Sequence, residues 1–208
     1  MMQLGPVKIE GFLKIHDPNT KEIFVDKNNA IHYENMSIAL ASSLANAFDP
    51  ATNKNLGYIE AMSFGNGGSS VDPTGVITYL PPNVTGKNAD LYNEEYLKVV
   101  NQRSPANTDP VRNNVTVLHT PGTVYTDVLV TCLLDYGEPA GQQAFDNSTD
   151  FNGEFVFDEL GLKAWGETSD ELMLITHVIF HPVQKSLNRQ IQIDYTVRIQ
   201  TLTNLSTT

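Results

Sequence analysis

A single cysteine, Cys132, excludes an intrachain disulfide and any all-cysteine zinc site. It lies inside Val128-Leu129-Val130-Thr131-Cys132-Leu133-Leu134, where a small buried apolar group is expected rather than a nucleophile. Positive charge is scarce as well: 13 Lys plus Arg stand against 24 Asp plus Glu, a formal charge of -11. Such a surface repels phosphate backbones, so neither nucleic acid nor an anionic membrane is expected as a partner. No apolar run approaches the ~20 residues that span a bilayer. The start of the chain (Met1 to Pro6) has no basic stretch leading into an apolar one, so no secretory signal is expected. Asn-x-Ser/Thr triplets such as Asn83-Val84-Thr85 then read as chance, and assembly in a reducing cytoplasm is the expectation.

Catalytic signatures are also missing. Gly65-Asn66-Gly67-Gly68 has the glycines of a phosphate loop, but Val71-Asp72-Pro73 follows and no Gly-Lys-Ser/Thr does. A turn or a close interface contact is the reading for those four residues. No Gly-x-Ser-x-Gly elbow occurs. His177 and His181 are four apart, but Val178-Ile179-Phe180 between them marks a strand, where that spacing separates imidazoles by roughly 13 Å. No metal or other cofactor is expected. The carboxylates Asp127, Asp135, Asp150, Asp158, Glu159 and Asp194 fall on polar strand faces or in turns. A glycosidase needs two carboxyls facing across a groove about 5 to 10 Å wide, and nothing in the spacing selects a pair. Tyr79, Tyr92, Tyr96 and Tyr125 can stack on sugar rings or serve as half-buried strand tyrosines.

What is present is a β-pattern. From Gln190 to Gln200 every odd position is apolar and every even one polar, which describes a strand with one dry and one wet face. Glu154 to Trp165 and Leu172 to Val183 precede it as further strands. Lys185 and Arg189 flank the turn after Pro182, a cationic tip that can meet an acidic patch on a neighbouring subunit. Earlier, Val7 to Ile15 and Glu22 to Asp26 form a hairpin across Asp17-Pro18-Asn19-Thr20. The one helix is expected at about residues 35–48, with Met36, Leu40, Leu44 and Phe48 on one stripe, Asn35 as N-cap and Asp49-Pro50 as the stop. Tyr58 to Phe64, Val76 to Leu80, Tyr96 to Val100, Val115 to Leu118 and Val124 to Tyr136 are strands, and Gln142 to Asn152 is a polar connector. Strands separated by turn signals, with one helix, predict a mainly β protein. The expected architecture is an antiparallel β-sandwich of jelly-roll-like topology, in one domain (1–208) with a loop-rich insertion at about 65–113.

The order of motifs carries a resemblance. Phe64-Gly65-Asn66-Gly67-Gly68 is followed by Leu91-Tyr92-Asn93-Glu94-Glu95-Tyr96, then by a strand ending near Asp135-Tyr136-Gly137-Glu138. Asp158-Glu159-Leu160-Gly161-Leu162, the run from Ile175 to Lys185 and the closing Ile191 to Val197 strand complete it. This succession resembles virion structural proteins of tailed bacteriophages, above all those of cyanophages. It is more loosely similar to the N-terminal domain of phage tail-collar fibre proteins. The resemblance implies a non-enzymatic β-sandwich docked in a virion, as an adaptor or collar subunit at the neck or tail, or as a capsid decoration protein. It implies other virion proteins and copies of the same chain as partners. Gly65 to Gly68 and Glu159 to Leu162 would shape the fold. A carbohydrate-binding sandwich engaging host polysaccharide is the alternative from another class.

Overall fold

The computed structural model describes residues 7–139, 154–166 and 171–201. The expected connector Gln142 to Asn152, with Asp150, lies outside them. In chain order the elements are β1 (Val7–His16), β2 (Ile23–Ile31), α1 (Tyr33–Leu44), β3 (Phe48–Asp49), β4 (Lys54–Asn55), β5 (Ile59–Gly65), β6 (Ser69–Val71) and β7 (Ile77–Tyr79). Next come β8 (Glu94–Val99), β9 (Asn114–Leu118), β10 (Tyr125–Leu134), β11 (Glu154–Trp165), β12 (Leu172–Leu174), β13 (Thr176–Ser186) and β14 (Ile191–Thr201). The protein is mainly β, with antiparallel pairing and, among the described residues, one helix, as the sequence predicts.

Ten strands form one curled sheet in the order β8-β5-β11-β13-β2-β1-β14-β10-β9, with β12 added beside β11. Its two halves are joined by a short ladder: Thr176 opposite Ile31 and His177 opposite Ala30. Side chains from both halves meet in one core, with Phe64, Leu160 and Leu162 from one and Ile15, Cys132 and Tyr195 from the other all fully buried. The arrangement is sandwich-like because each half contributes its dry face. The end strands also approach each other. The Gln102 amide accepts from Val115 N at 3.0 Å and donates to Val115 O at 2.9 Å, substituting for a strand partner between β8 and β9.

Strand β14 has the expected alternation: Ile191, Ile193, Tyr195 and Val197 are buried, and the residues between them are half-buried. Its neighbours are β1 and β10 over their full lengths, not β13. The turn at 187–190 therefore crosses from one half-sheet to the other instead of closing a hairpin. Lys185, at its start, is fully buried and donates to Ser186 O at 2.9 Å. Arg189 pairs with Glu22 at 3.0 Å and Asp17 at 3.6 Å and lies 4.1 Å over the Phe24 ring. The expected cationic tip is thus corrected: one cation is interior, and the other is neutralised by the β1–β2 turn.

The helix also differs from expectation at both ends. His32, not Asn35, is the N-cap; its Nδ1 accepts from Asn35 N at 3.2 Å. The C-terminus is a Schellman motif, with Ala47 N donating to Ser42 O, Asn46 N donating to Ser43 O, and Asn46 at φ +49. Helix formation stops there, well before Phe48. Met36 and Ala39 are buried, whereas Leu44 is 89% exposed, so the core-facing stripe is shorter than the four-residue spacing implies. The expected insertion at 65–113 contains the two short strands expected within it, as β7 and β8. It holds the β6–β7 hairpin, and β8 is an end strand of the main sheet.

Candidate functional site: a saturated carboxylate–histidine clamp

The polar centre of the molecule grows from a bulge in β11. Consecutive strand residues normally point to opposite faces. Between Phe157 and Glu159 the register against β13 shifts, and such bulges re-aim side chains. Asp158 and Glu159 consequently both address the glycine loop. Asp158 accepts from Gly68 N at 2.9 Å and from the Ser69 hydroxyl. Glu159 Oε1 accepts from Gly67 N at 3.0 Å and Asn93 N at 2.8 Å. Its Oε2 accepts from Tyr92 N at 2.9 Å and from His177 Nε2 at 3.0 Å.

Glu159 and His177 are both fully buried. On the far side of the imidazole, Nδ1 lies 2.8 Å from Asn83 N, so it must be the unprotonated acceptor and Nε2 must carry the hydrogen. The network thereby assigns a neutral His177 beside a charged Glu159. Burial pushes the Glu159 carboxyl upward, but the donors His177, Asn93, Tyr92 and Gly67 override it and hold it below the usual range. Asp158 goes the other way: burial raises it, and the Ser69 and Gly68 bonds only partly oppose that rise. Neighbouring carboxyls shifted in opposite senses can form an acid–base pair. Here Glu159 has four donors on its two oxygens, and both His177 nitrogens are engaged. No lone pair is left for a substrate proton, so this dyad ties loops together.

The glycines are explained by the same contacts. A Cβ on Gly65 would lie 2.4 Å from Asn93 O and 2.5 Å from Glu159 Oε1. One on Gly67 would meet Asn93 N and Tyr92 Cβ at 2.8 Å. One on Gly68 would lie 3.0 Å from Ile179 Cγ2, and one on Gly161 would lie 2.3 Å from Leu174 Cδ1 and 2.6 Å from Thr176 O. Asn66 bonds Asn93 through both backbone and side chain. Six of the eight residues singled out from sequence (Gly65, Asn66, Gly67, Gly68, Glu159 and Gly161) thus belong to one region around β11. Lys185 and Arg189 lie elsewhere, at the crossing turn.

The segment 81–93 is held by further ties that sequence reasoning missed. His32 Nε2 bonds Gly86 O at 2.9 Å, and the buried Asn35 amide reaches Lys87 O at 3.0 Å and Leu174 O at 2.9 Å. Lys163 pairs with Asp90 at 2.8 Å and with Glu94. The signal available was a histidine inside the apolar run Thr176 to Phe180, because a buried imidazole needs partners.

The remaining candidates disperse. Asp127 pairs with Arg198 at 2.7 Å, Asp135 with Arg112 at 2.7 Å, and Asp194 with His16 at 3.0 Å. His181 faces Tyr79 OH at 3.2 Å rather than His177. Tyr96 packs 6.0 Å from Phe64, Tyr92 packs 5.7 Å from the His177 ring, and Tyr125 lies 3.9 Å beneath the Arg198 guanidinium, so the protein itself occupies three of the four candidate stacking rings. Cys132 is fully buried, and burial pushes its thiol up. Among the described residues no helix is long and apolar enough to cross a membrane. No family model, curated protein or solved structure matches this chain.

Proposed function

We propose that this chain is a non-enzymatic structural component of a tailed-phage virion, assembled in the host cytoplasm as an adaptor or collar subunit at the neck or tail. The supporting observation is the convergence of the resembling segments. The glycine loop, the 91–96 segment, Asp158 to Leu162 and the start of β13 meet at the Glu159–His177 tie. Residues at those motifs fix loop positions, a role suited to presenting a defined docking surface to other virion proteins and to further copies of the chain. Capsid decoration uses the same attributes and is the alternative location.

Cryo-electron microscopy of the particle tests the reading. Density for this fold at the neck or tail, in few copies, supports the adaptor. Many copies on the head support decoration. A particle lacking the chain defeats both.

A further inference from the structure

Beyond that reading and independent of it, the curl of the sheet leaves the core unfilled at one end. Helix α1 covers part of the opening, and a concave groove of about 380 Å³ remains between it and strands β9, β10 and β14. Its floor is the core itself: Met36, Ala39, Ile175 and Val197 are each less than 5% exposed. Pockets for small molecules have volumes of about 300–1,000 Å³ and are mostly apolar with a few placed polar groups. Mouths of curled sheets are among the places where they form.

The polar groups at the rim are nearly all taken. Ser43 Oγ donates to Gly57 O at 2.9 Å, the Asn101 amide donates to Glu60 at 2.7 Å, and Gln102 is engaged with Val115 on both sides. Arg103 is an exception. It is exposed at the rim, 6.0 Å from the Tyr58 ring centroid, and its guanidinium has no carboxylate within ion-pair distance among the described residues. In a chain of charge -11, a cation left without a carboxylate beside an apolar hollow is complementary to an anion with a hydrocarbon body. Branched aliphatic walls (Val115, Val128, Ile199) match an alkyl chain rather than a flat ring.

We propose that this groove binds a single-chain aliphatic carboxylate, with the alkyl chain on the Met36–Val197 floor and the carboxylate at Arg103. A concave hollow continuous with the core accepts a slender chain, whereas the flat face of a second copy would leave it empty.

Calorimetry of the folded chain with hexanoate, octanoate, decanoate and the matching alcohols, below their micelle concentrations, tests this. Saturable one-to-one binding is expected, tightening about fourfold per methylene until the groove is full. Arg103→Gln should weaken the carboxylates about tenfold and leave the alcohols unchanged, the scale of one charge-assisted hydrogen bond. Methyl shifts of Val197 and Ile199 on adding decanoate should locate the ligand. No saturable binding, or equal carboxylate affinity in R103Q, overturns the proposal. So does concentration-dependent self-association that Val117→Lys abolishes, which assigns the groove to a second copy.

Discussion

The Nε2–H of His177 points at Glu159 Oε2 from 3.0 Å, and the two side chains are shut off from solvent by the loops they hold. One charged carboxylate thereby fixes Gly67, Tyr92 and Asn93, and one imidazole fixes Asn83. The loop surface at this end of the sheet inherits its shape from that pair.

Glu159→Gln replaces an acceptor with an NH2 group facing N–H donors. It should cost about 2–6 kcal/mol, because the Tyr92 N–H and the His177 Nε2–H each lose their acceptor at about 1–3 kcal/mol apiece. His177→Asn keeps an acceptor near Asn83 and should cost less, about 1–3 kcal/mol. Urea unfolding gives the magnitudes. Hydrogen exchange at Asn83, Tyr92 and Asn93 should accelerate in both variants, and most in E159Q.

Acid stability follows from the opposed carboxyls. Glu159 has a folded pKa below its unfolded value, so its contribution is complete above the ordinary glutamate range and is lost as pH falls through the folded value. Asp158, raised in the fold, acts in the opposite sense: protonating it on acidification favours the folded state. Thermal midpoints between about pH 6 and pH 2 should therefore fall less steeply in E159Q and more steeply in Asp158→Asn.

Lys185 is buried, and burial pulls its ammonium down to about 8 against the attraction of Glu138 and Asp135. Below that pH the amine is charged in both states and the fold bears the desolvation. Between about 8 and 10.5 the folded chain releases a proton that the unfolded chain keeps, so stability should rise with pH across that window. Lys185→Met should raise stability by roughly 1–3 kcal/mol at neutral pH and abolish that slope. A melting point unchanged by K185M would contradict the assignment.

Gly161 sits where β11 presses on β12 and β13, with Leu174 and Thr176 O in the space a methyl would need. Gly161→Ala should destabilise by about 1–3 kcal/mol through overpacking, read by denaturant unfolding.

Much of the sheet is legible in the chain because period two survives wherever one face is dry. Ile191 to Ile199 shows this, as does Val130-Cys132-Leu134. The helix end was not, because four-residue spacing through Leu44 and Phe48 outweighed Asn46, whose left-handed φ closes the last turn. Pairing was illegible in a different way. Nothing local distinguishes a hairpin after Ser186 from a crossing to the other half-sheet, since both need only a tight turn. For the same reason Glu159 and the glycine loop were recognisable as a set, whereas His177 was not. Its tie depends on a bulge and a register between β11 and β13 that only long-range pairing establishes.

The virion role is tested most directly by quantitative mass spectrometry of gradient-purified phage particles encoding this chain. The account predicts the chain in those particles at a fixed ratio to the major capsid protein through repeated purification. Its presence in infected-cell lysate but absence from the particles would contradict it.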